Sequence, residues 1–116
     1  MRRHIAQRYA LNGMQVSPDE IVITAGAMES LSLSLQAVTQ PGDTVAIESP
    51  AFYGALQALE RLKLKAVAIA THPQHGIDLD SLQQAIEQYP IKACWLMTHF
   101  QNPQGSSMSD ENKKRL

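Results

Sequence analysis

One cysteine among 116 residues leaves no partner for an internal disulfide, and Cys94 has no cysteine or histidine at metal-ligand spacing. A reducing compartment, the cytoplasm, is the expected setting. Charge of one sign is lacking too. Ten basic residues face eleven acidic ones for a net charge of −1, so no cation surplus suits a phosphate backbone, and nucleic acid is not an expected partner of this segment. No apolar run approaches the roughly 18 residues of a membrane span. Arg2-Arg3-His4 leads into an amphipathic stretch rather than a signal peptide's apolar core, so no membrane partner is expected. No glycine precedes Lys-Ser or Lys-Thr, which excludes a P-loop, and His4, His72, His75 and His99 are too scattered for a metal site. What is present is 44% hydrophobic and 18% charged residues, the balance of a folded chain that buries one core.

Periodicity supplies the elements. Ile5, Tyr9 and Leu11 predict a short lead-in helix that Asn12-Gly13 ends, and the β-branched run Ile21-Val22-Ile23-Thr24 predicts a first buried strand. Leu31, Leu35 and Val38 recur at helical spacing within a helix over 29–38. Pro41-Gly42-Asp43 turns the chain into a strand at 44–48, which Ser49-Pro50 ends. A helix from about Tyr53 to Leu62, a strand at 66–69 and a polar loop holding His72, His75 and Gly76 follow. Asp78 or Asp80 caps the next helix, with Leu82, Ile86 and Tyr89 on one side and Pro90 as its stop. A strand at 91–97 buries Cys94, a loop spans 98–107, and a last helix opens at Ser109-Asp110-Glu111. Strands alternating with helices define an α/β fold, a mostly parallel sheet with helices on both faces, here one partial domain over 1–116.

Ligands of such sheets bind beyond the carboxyl ends of the strands. The turn Thr24 to Glu29 places Gly26 where a helix begins, so free N–H groups there suit a phosphate; a plain strand-to-helix turn is the competing reading. Phe52 and Tyr53 after the next strand could stack on a planar ligand or fill a core. In Thr98 to Gly105, amide side chains bunch around Pro103 and Gly105. Asn102 can donate to a ligand oxygen there, Pro103 stiffens the backbone and Gly105 permits a positive φ.

Four stretches stand in order: Ile23-Thr24-x-Gly26, Pro41-Gly42-Asp43-x-Val45-x-x-Glu48-x-Pro50-x-Phe52, Gly76-Ile77-Asp78-Leu79-Asp80 and Asn102-Pro103-x-Gly105. Together they resemble the fold-type I pyridoxal-phosphate (PLP) enzymes, the class I and II aminotransferases, over essentially the whole chain. Gln101 to Gly105, with Met108 and the lead-in from Arg2 to Gly13, resembles most the MocR type of the GntR regulators, in which a winged helix is fused to an aminotransferase-like domain. The resemblance implies that Gly26, Ala27 and Met28 meet the cofactor phosphate through backbone amides, that Phe52 stacks on the pyridine ring and that Asn102 bonds its 3-oxygen. It implies amino-group transfer between amino acids and keto acids, or PLP-dependent sensing of an amino-acid-like effector, in a homo-oligomeric parent that reaches DNA through a separate winged-helix part.

The lysine that would hold the cofactor covalently is expected beyond residue 116. None of Lys63, Lys65, Lys92, Lys113 and Lys114 occupies its place in the pattern, so no catalytic residue is assigned and the chain alone is expected to be inactive, with weak PLP affinity or none. The family's strand order implies unpaired edges at 21–24 and 91–97. Either the first strand moves beside the fourth or two chains pair. A stand-alone α/β module holding a phosphate ligand at the Gly26 turn, and a purely structural piece, remain as alternatives.

Overall fold

Side-chain caps fix the starts of three helical elements. In the computed structural model, which describes residues 1–116, α1 (Arg2–Leu11) precedes a single 3-10 turn (Pro18–Glu20), α2 (Ala27–Val38), β1 (Thr44–Ser49) and α3 (Tyr53–Arg61). There follow β2 (Lys65–His72), β3 (Gly76–Ile77), α4 (Leu79–Gln88), β4 (Ile91–Trp95) and α5 (Asp110–Arg115). Ser17 caps the 3-10 turn, and its N–H donates to the Glu20 carboxylate at 2.7 Å. Asp78 rather than Asp80 caps α4: its Oδ1 accepts from the N–H groups of Asp80 and Ser81 at 3.0 and 3.1 Å. Ser109 caps α5 by accepting from the Asn112 N–H.

The chain divides into two compact units, Met1–Ser30 and Leu31–Leu116. In the first, α1 buries no residue, and Arg2 faces Asp19 across 3.7 Å at the surface. The expected strand at 21–24 does not form. Ile21 is extended, with φ −103° and ψ 119°, but the run joins no ladder, and Val22 and Ile23 are exposed. A β-branched run becomes a strand only when a neighbour takes its backbone groups.

The second unit is a four-stranded sheet in the order β3-β2-β1-β4. β1 pairs in parallel with β2 and β4, while β2 and β3 make a short antiparallel hairpin, Thr71 opposite Ile77 and His72 opposite Gly76. That hairpin replaces the expected polar loop and makes the sheet mixed. Helices cover both faces. Val45 and Ile47 point toward Leu35 of α2 and Leu59 of α3, whereas Ala46 and Ile69 point toward Leu82 and Ala85 of α4, joined by Ile77 and Met108. Thr44 lies opposite Ile91 but Val45 lies opposite Ala93, so Lys92 is an extra residue in β4. The bulge lets Ile91 pack with the α4 cluster and Ala93 and Trp95 with the other.

Two further expectations change. Leu82 and Ala85 are the inward residues of α4, while Ile86 and Tyr89 are exposed, so the helix is turned from the side first read. Cys94 is exposed rather than buried, because β4 is an edge strand with β1 as its one neighbour. Partial desolvation nonetheless pushes its thiol above the ordinary value, which disfavours the nucleophilic thiolate. No helix is long and apolar enough to cross a membrane, and no cluster of three or more metal-ligating side chains is present.

Candidate functional site

The carboxyl ends of β1 and β4 carry two of the three loops that the sequence singles out. β4 stops at Trp95, two residues short of the expected end. The Met97 N–H then donates at 3.0 Å to the carboxylate of Glu48, a buried side chain near the end of β1. Burial pushes the Glu48 carboxyl above its usual range, against the Met97 N–H and the Gln101 side chain, which pull it down. Beyond Met97 the loop folds on itself. The Gln101 N–H donates to the Ser106 carbonyl at 2.9 Å, and the Met108 N–H donates to the Thr98 carbonyl at 2.9 Å.

The buried Gln101 side chain ties this loop to the one after β1. Its Nε2 donates to the Pro50 carbonyl at 2.8 Å, and its Oε1 accepts from the Gln104 N–H at 2.9 Å. Thr71, on β2, adds a third tie, its hydroxyl lying 2.8 Å from the Ser49 carbonyl and 2.7 Å from the Gln104 side-chain amide. The Ser49–Pro50 and Asn102–Pro103 peptide bonds are both cis.

Phe52 and Asn102 ride on the two joined loops. Phe52 is half-buried at the N-cap of α3 and meets Tyr53 edge-on, with ring centroids 5.4 Å apart; Tyr53 itself is exposed. Asn102 is exposed, and no protein group bonds its side-chain amide. Gly105, at φ +72°, closes the turn, and Phe100, at φ +47°, projects fully from it beside His99. Gly26, Ala27 and Met28 belong to the first unit, at the N-terminus of α2. The first helical bond there runs from the Ser30 N–H to the Gly26 carbonyl, so the N–H groups of Ala27 and Met28 fall outside the helical ladder. Gly26 has φ +148°, a value side-chain-bearing residues rarely adopt, and a Cβ there would meet open space.

The buried pair Glu48 and Gln101 was not singled out from sequence. Glu48 stands in the Pro41–Phe52 motif and Gln101 opens the stretch that resembles the MocR type, but neither was given a role there. Asp43 accepts from the Gln40 N–H at 2.8 Å within its own turn.

A sheet of this order, with an asparagine-proline loop on one strand end and an aromatic on the next, defines an aminotransferase-like large domain. The chain belongs to the class I and II aminotransferase family, whose model matches residues 1–116. The HTH-type transcriptional regulator YdcR of Escherichia coli (strain K12) is 61% identical over 116 residues, all of this chain and 25% of that protein. The 2-aminoadipate transaminase of Thermus thermophilus is 32% identical over 103 residues, 87% of this chain and 25% of the enzyme. Among solved structures, an archaeal alanine:glyoxylate aminotransferase superposes with a TM-score of 0.90 at 30% identity, over 97% of this chain and 29% of its own. LysN, the alpha-aminoadipate aminotransferase of Thermus thermophilus, complexed with N-(5′-phosphopyridoxyl)-L-leucine, gives 0.83 at 27% identity, over 95% of this chain and 28% of its own. The chain thus spans about a quarter of the length of the curated relatives it matches.

Proposed function

We propose that residues 1–116 are part of the large, PLP-holding domain of a MocR-type regulator that senses an amino-acid-like small molecule. One observation carries the reading: two loops tied by buried side chains present an aromatic ring and an asparagine amide that no protein group uses. The donor set suits PLP. In the Leu31–Leu116 unit Phe52 offers a ring face and Asn102 donates to the 3-oxygen and so orients the ring, while in the Met1–Ser30 unit Ala27 and Met28 offer helix N-terminal N–H groups that suit an anion. When bound, PLP supplies an electron sink for chemistry at an amine carbon. The LysN complex supports the cofactor, and the likeness to YdcR supports regulation, with DNA reached through a part outside this segment. The likeness to the Thermus transaminase supports amino transfer by the parent as the second reading.

Alone, the chain transfers no amino groups in this reading. Lys63, Lys65 and Lys92 lie at the amino ends of β2 and β4, away from the candidate loops, and Lys113 and Lys114 lie on α5. The outer edge of β4 has no partner strand, which supports self-association of the isolated chain. Incubation with PLP, an amino acid and a keto acid tests the reading: turnover no greater than that of free PLP is expected. Faster turnover, lost on changing one of the five lysines, overturns it.

A further inference from the structure

Ala46 shows what β1 uses where only packing is needed, yet the next position on its face, Glu48, holds a carboxylate that is 1% exposed. Removing a carboxylate and an amide from water costs more than a pair of apolar residues of the same size, unless the hydrogen bonds do something that packing cannot. Here they set the spacing of two loops. Glu48 holds the Met97 N–H, where the chain leaves β4, and Gln101 reaches back to Pro50, two residues before Phe52. The same amide accepts from Gln104, so it closes the turn in which Asn102 sits.

We propose that Glu48 and Gln101 are positioning residues, a buried clasp that holds the Asn102 loop at a fixed distance from the Phe52 loop. This rests on the cofactor reading for its purpose, while the clasp itself is measurable without a ligand. Neither side chain touches the cofactor in this account. Each acts through the backbone it bonds, so the clasp serves the ring contacts of Phe52 and Asn102 and no phosphate donor.

The test uses Gln101→Met, which keeps side-chain length and removes both bonds, and Glu48→Gln, which keeps an oxygen for Met97. The probes are pyridoxamine 5′-phosphate, which has no aldehyde to react with surface lysines, and inorganic phosphate. Without ligand, Gln101→Met raises exchange of the Gln104 amide about tenfold, the loss of roughly one hydrogen bond, and leaves the Val45 and Ile47 amides protected. Affinity for pyridoxamine phosphate falls about fivefold or more, while that for phosphate is unchanged. Glu48→Gln weakens pyridoxamine phosphate alone by about twofold or more. Unchanged Gln104 protection overturns the clasp, as does loss of protection across all of β1 with both ligands weakened together, the mark of a merely structural role. Should the wild type bind both probes equally and Asn102→Ala alter neither, the cofactor reading fails. Exchange at Gln104 in Gln101→Met and at Met97 in Glu48→Gln still decides the clasp.

Discussion

Leu82→Ala should destabilise the chain far more than Ile86→Ala, although the two residues lie one turn apart on α4. Leu82 is 4% exposed and packs among Ala46, Ile69, Ile77, Ala85 and Met108. Truncating a leucine so enclosed costs about 2–5 kcal/mol, a large part of the ~5–15 kcal/mol that holds a small domain together. Ile86 is 52% exposed, so the same truncation loses about half of three methylene equivalents, or ~1 kcal/mol. With a urea slope of about 1–2 kcal/mol/M, the midpoint should fall by at least ~1 M for Leu82→Ala and by less than ~1 M for Ile86→Ala. Urea melts followed by far-ultraviolet circular dichroism measure both. Equal shifts, or a larger one for Ile86→Ala, would mean that α4 packs by another face and that the cluster it forms with Ala46, Ile69 and Met108 is wrongly drawn.

Other expectations concern single groups. Glu48 holds its proton to higher pH in the native state than its ordinary 4.5, so stability is full below about that pH and falls as pH rises through the raised native value. Glu48→Gln should flatten that slope in urea midpoints taken across pH. Asp78→Ala removes the α4 cap and should cost about 1 kcal/mol. Asp78's carboxyl is held below its ordinary value, by Ser81 first, so the cap's contribution is present above that ordinary value and lost as pH falls through the native one. Light scattering over a dilution series should show self-association that lapses on dilution, with amides 91–95 protected in the associated form; a monomer at every concentration would refute pairing through the free edge of β4.

Much of the fold was legible because it rests on local periodicity and capping. Leu31 and Leu35 marked the inner side of α2, Pro41-Gly42-Asp43 marked the entry to β1, and Pro90 closed α4. What escaped depends on partners distant in sequence. Ile21 to Thr24 has strand composition and no ladder to join, and the Gly76–Ile77 strand is too short to carry a period of its own. The exposure of Cys94 follows from the place of β4 at the sheet edge, which sheet order decides and no run of residues displays. Within the candidate site, Phe52 and Asn102 stood out by residue type beside a strand end. The clasp did not, since its bonds join residues 49 and 51 positions apart.

We propose that this segment meets a phosphorylated pyridine through Phe52 and Asn102. Titrating the chain with pyridoxamine 5′-phosphate while following its amide resonances tests that most directly. The account predicts weak, saturable binding, with shifts gathered at residues 52–53 and 100–105 and diminished by Phe52→Ala and by Asn102→Ala. Shifts scattered over surface lysines and unaltered in both variants would contradict it.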